Sequence, residues 1–454
     1  MSRTRSSEPV VVGVDAGTTL TKAVAFSVTG EPLARAARPT RVDRVGPGWY
    51  EQDADLVVAS VEEVLAELRE STGPVLAIGV TAQGDGLWLV DADGRPVRPA
   101  ISWMDGRAAG IVRDWDAAGL LTAGFRRTGT LMFPGAQAPL LAWLAANEPE
   151  QLKRAAGAAY CKDVILHRLT GVRATDPTDQ RDLLDLCGLG EHERLLLPAR
   201  TAPSGRLPDG TPVVAALYDL PASALGAGVT AVGDGLLILG TTLACQVLVD
   251  AVDTAAEPAG LSLRTWAEGR WLRALPAMVG TAALDWALRL VSATVADLPD
   301  LLATGDSAGL SVLPYFSEAG ERAPFVDPRA RGRLDGLHLG TRPADVVRAV
   351  CEAIAYSARH CLTAAGLSGE LTACGGGLAT PAWAQIFADV LGRPIRVLAG
   401  QEVGARGAAL AAAAALPGDV VFAPVPGIVY EPQTSYEDRY ARYLDHVEQA
   451  RNTW

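Results

Sequence analysis

The turn sequence GTTL occurs twice in this chain, at residues 17–20 and 240–243. Each copy follows an apolar run, VVVGV at 10–14 and GLLIL at 235–239. An apolar run broken by a Gly-Thr turn and resumed beyond it predicts a buried hairpin. Two such hairpins half a chain apart predict two similar α/β domains with a cleft between them, not a solenoid, whose repeats are far shorter. The 454-residue length agrees, because single hydrophobic cores stop growing well below it. The copies differ in what precedes them: Asp15-Ala16 before the first, Ile238-Leu239 before the second.

The remaining pattern fills in around these hairpins. Residues 10–14 and 22–28 read as strands, with Asp15–Thr19 as the turn between them. ADLVVASVEEVLAELRE, from residue 54, reads as a helix and VLAIGVTA (75–82) as a buried strand. LWLVDADGRPV (87–97) reads as a hairpin turning at Asp93-Gly94. Residues 138–171 look helical, and 196–212, rich in proline and glycine, look like loop. PVVAALYD (212–219) is a strand stopping at an aspartate, with a helix behind it. The second half repeats the order: LLILGTTLACQVLV as hairpin, residues 346–365 as helix, LTACGGGLATPAWAQIFADVLG as strand, glycine turn and helix, and EVGARGAALAAAAAL as a small-residue helix. The boundary falls within 230–250.

Composition excludes several function classes. A 49% hydrophobic and 20% charged chain is soluble and globular. A net charge of −12 argues against a nucleic-acid partner, although loops and Mg²⁺ can neutralise ATP phosphates locally. The six cysteines, Cys161, Cys187, Cys245, Cys351, Cys361 and Cys374, contain no Cys-x-x-Cys pair, so no zinc or redox motif is visible. The segment MSRTRSSEPV lacks the apolar stretch of a signal peptide, and Ala408 to Leu416 is too short to span a bilayer. A cytoplasmic protein without membrane contact is expected. No Gly-Lys-Ser/Thr occurs, which excludes a Walker A loop, and no protein-kinase DFG or HRD is present.

Several residues could carry chemistry. In the first turn, backbone N–H groups and the hydroxyls of Thr18 and Thr19 could grip phosphate oxygens around Gly17. Asp15 would repel phosphate unless a cation stood between, which suggests Mg²⁺, directly or through water. Asp15 could equally satisfy turn N–H groups and nothing more. Gly240, Thr241 and Thr242 offer a second grip without a metal, or a relic of duplication that serves the core. Gly375, Gly376 and Gly377 permit close backbone approach to a ligand. Asp219, at a strand end, could act as general base toward a hydroxyl; followed by Leu220-Pro221, it also fits a helix cap. Gln83, Asp85, Trp103, Asp105 and Arg107 suit a polyhydroxylated ligand, or else form two turns and a helix start with Trp103 in the core.

Taken in order, DAGTTLTKA, TAQGDG, ISWMDGR, PVVAALYD, GTT, GERAPF with DPRARG, and GGGLATPAWAQIFADVLG resemble the FGGY carbohydrate kinases, which include glycerol, xylulose, ribulose and erythritol kinases. TLMFPGAQAPLLAWLAANEPE (130–150) and KDVILHRLTG (162–171) are similar to xylulose kinases, and TDPTDQRDLLDL (175–186) to the family's threonine–aspartate stretch. The resemblance implies an α/β fold of two ribonuclease-H-like, actin-like ATPase domains flanking a catalytic cleft. Residues 1–235 would bind sugar and carry the base and the first phosphate loop; residues 236–454 would bind ATP. It implies direct transfer of the ATP γ-phosphoryl group to a hydroxyl of a small sugar or polyol. Asp219 would be the base and Asp15 would lie near Mg²⁺. Gly17, Thr18 and Thr19, with Gly240, Thr241 and Thr242, would form the phosphate loops, and Gly375, Gly376 and Gly377 the adenosine side. Gln83, Asp85 and Trp103 would contact the sugar beside Asp219. A homodimer is compatible with this picture.

Some positions depart from the family pattern. Gly84-Asp85 stands where glycerol kinases have arginine–glutamate and xylulose kinases methionine–histidine. Gly135 stands where glycerol kinases have a sugar-contacting tyrosine. Both argue against glycerol. AQGDG and SEAGERAPFVD are similar to L-xylulose and erythritol kinases, and Pro198 to Thr211 is shorter than usual. The expected substrate is a pentulose such as xylulose, with erythritol as the alternative. A non-catalytic sensor of the same fold is the alternative from another class.

Overall fold

In the computed structural model, both GTTL sequences turn hairpins whose first strand lies inside a larger sheet. The structure describes residues 8–176, 183–202, 204–398, 400, 402–418 and 420–454; positions 177–182 of the threonine–aspartate stretch lie outside them, as does the start of MSRTRSSEPV. The chain forms two compact units. The first runs to Gly228 and also contains Leu263–Arg270 and Glu402–Pro424; the second holds Val229–Ser262, Trp271–Gln401 and Val425–Trp454. The units are therefore not the two sequential halves.

The first sheet has the order Ser204–Arg206, Pro212–Ala215, Val75–Ala82, Val10–Ala16, Leu20–Ser27, Pro32–Pro39. Six of the seven strands of the second run Gly427–Tyr430, Ile395–Leu398, Leu371–Cys374, Gly235–Leu239, Leu243–Val249, Trp271–Ala277. The two orders correspond strand for strand. Each has an antiparallel hairpin, a third antiparallel strand beyond it, two parallel strands on the other flank and a short antiparallel edge. The repeated turn thus marks a repeated architecture.

Strands inside a sheet that is covered on both faces need continuous apolar runs. Val10, Val11, Val12 and Val14 are all fully buried. On one face lies helix Ala54–Ser71, capped by Asp53, whose carboxylate accepts the Asp55 and Leu56 N–H groups. It buries Val57, Val61, Val64 and Leu68 at helical spacing. The other face receives helix Val403–Ala413, from far along the chain. Its seat is made of glycines: a Cβ on Gly13 or Gly79 would lie 1.7 or 1.8 Å from the carbonyl oxygens of Ala405 or Ala408. Its small residues allow this approach, and Ala405, Ala409 and Ala412 pack with Val11, Val24 and Ala77. In the second unit, helices Pro343–Ala364 and Pro381–Leu391 share one core with the sheet, and Trp383 lies buried within it.

Two local expectations are corrected and one holds. The helical stretch over 138–171 is broken into Gln137–Asn147, Pro149–Arg154 and Cys161–Thr170 by strand Gly157–Ala159, which pairs with Trp88–Val90. The 87–97 hairpin forms as expected: Val90 bridges Pro96, the Asp91 N–H donates to the Arg95 carbonyl at 2.9 Å and the Val97 N–H to the Leu89 carbonyl at 3.0 Å, although only Trp88–Val90 is regular strand. The loop expected over 196–212 contains strand Ser204–Arg206, paired with Pro212–Ala215.

Candidate active site

Asp15 belongs to strand Val10–Ala16, not to the turn: it pairs with Lys22 on one side and Thr81 on the other. The turn itself is Gly17–Leu20, closed by the Gly17 N–H on the Leu20 carbonyl at 3.1 Å. Room for the Asp15 carboxylate comes from helix Val403–Ala413, where a Cβ on Gly404 would lie 2.4 Å from Oδ2. Loss of water pushes the Asp15 carboxyl up to about 6, against the pull of Lys22 and with a further push from Glu402. Lys22 and Glu402 are themselves paired at 3.7 Å.

Asp219 does not end a strand. Pro212–Ala215 stops before it, and the connection is held by the Ala216 N–H on the Val80 carbonyl and the Thr81 hydroxyl on the Leu217 carbonyl. Tyr218 occupies the cap position, and Asp219 opens helix Asp219–Gly226, accepting the Leu220 N–H at 2.8 Å. Desolvation and then the Asp15 charge push the Asp219 carboxyl up to about 7, opposed by the Leu220 N–H and reinforced by Asp85. Asp15, Asp85 and Asp219 thus form one electrostatically coupled group of acids in the first unit. Perturbed carboxyls of this kind cluster at functional sites.

Beside them runs a continuous hydrogen-bond chain. The Thr18 hydroxyl donates to Gln83 Oε1 at 3.0 Å and accepts from Trp103 Nε1 at 3.0 Å. Gln83 Nε2 donates to Gln52 Oε1 at 2.8 Å, and Gln52 Nε2 returns to the Thr18 carbonyl at 3.1 Å. Thr18, Gln83 and Trp103, singled out from the sequence, are joined directly. Gln52 was missed; an amide inside strand Trp49–Gln52, directly before the helix cap Asp53, was its only mark. Thr19 is exposed, and its carbonyl accepts the Thr40 N–H.

The AQGDG turn fits around this chain. Asp85 sits at φ 51, a left-handed conformation that aspartate tolerates better than most residues. Gly86 donates to the Gly135 carbonyl at 2.9 Å. A Cβ at Gly135 would lie 1.8 Å from the Trp103 carbonyl oxygen, so a tyrosine here would require the Trp103 backbone to move.

Asp105 and Arg107 are structural. Asp105 accepts the Tyr50 and Arg107 N–H groups and the Arg107 side chain, and Arg107 continues to Glu51 at 2.8 Å between the rings of Trp49 and Trp143. They hold the loop that carries Trp103. Lys162 was also missed. It is fully buried, 2.6 Å from Asp163 and 2.8 Å from Asp176, with its ammonium 5.3 Å from the ring centre of Tyr218, the neighbour of Asp219.

In the second unit the turn closes from the Gly240 N–H to the Thr242 carbonyl at 3.1 Å. Helix Thr281–Leu290 starts against it: the Thr281 and Ala282 N–H groups donate to the carbonyls of Gly240 and Thr241. A cavity of about 310 Å³ opens here, with Gly240, Thr241, Thr281, Asp285, Gly376 and Gly377 in its wall. Gly375, at φ 114, lets strand Leu371–Cys374 turn beside Leu239, whose carbonyl oxygen would stand 2.3 Å from an added Cβ. Thr242 and Gly375 shape the turn without lining the cavity. Asp285 and Thr281 were missed, since a helix start after Gly280 carries no ligand signature. Glu321, in the GERAPF motif, accepts the N–H groups of Met278, Arg322 and Ala323 and so braces the segment leading to Gly280.

Residues 10–183 match the N-terminal domain of the FGGY family of carbohydrate kinases, and residues 207–416 match its C-terminal domain. The chain belongs to the FGGY family of carbohydrate kinases. This FGGY kinase is 32% identical to the erythritol kinase of Brucella abortus (strain 2308), over 92% of this chain and 89% of that protein. It is 30% identical to the xylulose kinase of Escherichia coli (strain K12), over 98% of each. Its fold is similar to the crystal structure of xylulose kinase from Rhodospirillum rubrum, with a TM-score of 0.86 at 28% identity, covering 98% of this chain and 99% of that one. It is therefore an ATP-dependent kinase of a small sugar or polyol, with the two-domain actin-like ATPase fold. Among the described residues, no helix is long and apolar enough to cross a membrane.

Proposed function

We propose that this FGGY kinase phosphorylates a pentulose such as xylulose, with Asp219 as general base. The coupling of Asp219 to Asp15 and Asp85 in one unit, beside the Thr18–Gln83–Trp103 chain, is the observation that carries the reading. Asp219 takes the proton of the acceptor hydroxyl as that oxygen bonds to the γ-phosphorus. The bond to the leaving oxygen breaks, and ADP departs with the electron pair. A base whose carboxyl titrates near neutrality is matched to that task.

Gln83, Asp85 and Trp103 bind and orient the acceptor. Gly17, Thr18 and Thr19 serve the phosphates through their backbone, since the Thr18 hydroxyl is already engaged. Gly240, Thr241 and Thr242 hold phosphates from the second unit, and Gly375, Gly376 and Gly377 form the adenosine side, with the 310 Å³ cavity as the nucleotide site. The acceptor half of the chemistry thus belongs to the first unit and the nucleotide half to the second. Among the described residues no three His, Cys, Asp or Glu side chains group as a metal cage. Asp15 supplies a hard oxygen next to the phosphate turn, a donor set that fits Mg²⁺, which keeps water and phosphate as its other ligands. When bound, Mg²⁺ would neutralise charge on the phosphates. All six cysteines are free thiols, which fits a cytoplasmic enzyme.

Erythritol is the second reading, favoured by Asp85. A carboxylate accepts a hydroxyl proton and repels a carbonyl oxygen, so it suits a polyol or an L-configured ketose. The test is ADP release, measured by a coupled assay, across xylulose and ribulose of both configurations, erythritol, glycerol and hexoses. Preference for a pentulose supports the first reading and preference for erythritol the second; preference for glycerol or a hexose overturns both.

A further inference from the structure

The second unit contains another cavity, of about 110 Å³, that shares no lining residue with the nucleotide cavity. Its wall includes Ser307, Ser311, Glu352, Arg439, Arg442 and His446. Helix Glu437–Arg451 places Arg439 and Arg442 one turn apart, with His446 a turn further on. Like charges at this spacing repel; Asp438 and Asp445, at i−4 and i+3 of Arg442, lie on the same helix, but neither is within ion-pair distance of it. The carboxylate in the wall, Glu352, is already fully used. It accepts from Ser307 at 2.6 Å, Tyr436 at 2.9 Å, Arg348 at 3.0 Å and Arg439 at 3.4 Å. Arg442 binds only a backbone carbonyl, that of Asp438, and lies within ion-pair distance of no acid among the described residues. Ser311 and His446 Nδ1 are joined at 2.5 Å on the same wall. The wall itself thus brings two guanidinium groups against one carboxylate that is already shared.

We propose that this cavity is a second anion site, which takes the phosphoryl group of inorganic phosphate or of a small phosphate monoester. Arg442 and the uncommitted nitrogens of Arg439 are the charged donors; the Ser311–His446 pair adds the one proton left over from their mutual hydrogen bond. Guanidinium forks match phosphate oxygens in geometry as well as charge. The volume suits a single oxyanion, being several times what one water needs.

The test is calorimetric titration of the full chain with Mg²⁺ and a non-hydrolysable ATP analogue present, so that the nucleotide site is filled. Inorganic phosphate is one probe and glycerol 3-phosphate the other. Arg442→Gln, an exposed position outside the catalytic machinery, is expected to weaken binding at least tenfold, to be partly rescued by Arg442→Lys, and to leave basal ADP release unchanged. Binding of both probes assigns the site to the phosphoryl group itself, and binding of the monoester alone assigns it to an organic phosphate. Equal affinity in the wild type and Arg442→Gln, or no binding of either probe to the wild type at millimolar concentration, overturns the proposal.

Discussion

In the first turn Ala16 pairs with Thr21 across Gly17–Leu20, whereas in the second Leu239 pairs with Leu243 across the shorter Gly240–Thr242. The letters are the same and the register differs by one residue. Leu243 is fully buried and donates its N–H to the Val279 carbonyl at 2.6 Å, which draws it into the sheet; Leu20 is only half-buried. The tethers differ as well. Carbonyls of the first turn are held by Thr40 and Gln52, and its Thr18 hydroxyl is engaged by Gln83 and Trp103. Carbonyls of the second are held by N–H groups at a helix start, and Thr241 lines a cavity. What anchors a turn's carbonyls therefore decides what its remaining groups are free to bind. On this reading the Thr18 side chain of the first turn is built into the acceptor site while the turn's backbone serves the phosphates, and the second turn is built into the nucleotide site.

The comparison breaks most severely at Asp219, whose neighbour Asp15 is replaced by Ile238 before the second turn. Asp219→Asn should lower sugar-dependent ADP release by ~10²–10⁴-fold, the range of general-base catalysis. The same change should raise the melting temperature at pH 8. A carboxyl held at about 7 in the folded state binds its proton more tightly there than in the unfolded chain. Its contribution to stability is present at low pH and is lost as pH rises through about 7, and an amide removes that loss. Turnover within tenfold of wild type would show that Asp219 is not the base.

Two glycines sharpen the contrast. A methyl at Gly135 would press on the Trp103 carbonyl, and one at Gly280 would stand 2.4 Å from the Thr241 carbonyl oxygen. Overpacking of this kind costs about 1–3 kcal/mol, equivalent to roughly five- to 150-fold in an affinity. Gly135→Ala should raise the KM for the sugar and Gly280→Ala the KM for ATP. Initial rates with each substrate varied in turn would read this out, and a crossed pattern would reverse the assignment of the two turns.

The parts of this architecture visible in the sequence are those written in local pattern. Apolar runs marked both hairpins, and the period of helix Ala54–Ser71 marked its buried face. The one-residue difference in register is not local, because it depends on Leu243 meeting Val279. Helix Val403–Ala413 is recognisable as a helix, yet its seat is Gly13 and Gly79, hundreds of residues away. Of the site, Thr18, Gln83 and Trp103 carried chemistry in a recognisable motif. Gln52 and Lys162 carried none: their burial, which makes them matter, arises only when distant layers close over them. The opposite error befell Asp105 and Arg107, whose polar side chains are consumed by each other.

A smaller effect separates the two threonines. Thr18→Ala removes both a donor to Gln83 and an acceptor for Trp103, leaving the buried Gln83 and the half-buried Trp103 to find new partners. A penalty of about 1–3 kcal/mol for such groups corresponds to about fivefold or more in the KM for the sugar. Thr241→Ala should raise the KM for ATP by a similar factor while the KM for the sugar stays within twofold. Equal effects of both changes on both substrates would mean that the turns share one role.

The smallest effect needs no mutation. With EDTA present and no nucleotide, sugar affinity should depend on the protonation of Asp219. Desolvation and the charge of Asp15 hold its carboxyl at about 7, so most of it is protonated at pH 6 and ionised at pH 8. Only the ionised form accepts the hydroxyl proton of the sugar in the orientation needed for attack. Affinity should therefore rise by up to about tenfold from pH 6 to pH 8, since one pK unit is a factor of ten. Quenching of tryptophan fluorescence is a suitable reporter, because Trp103 belongs to the same hydrogen-bond chain. The dependence should vanish in Asp219→Asn, and ATP-analogue binding by the second unit should stay flat over the same range. A flat sugar profile in the wild type would remove Asp219 from contact with the acceptor and leave the first turn without a defined substrate.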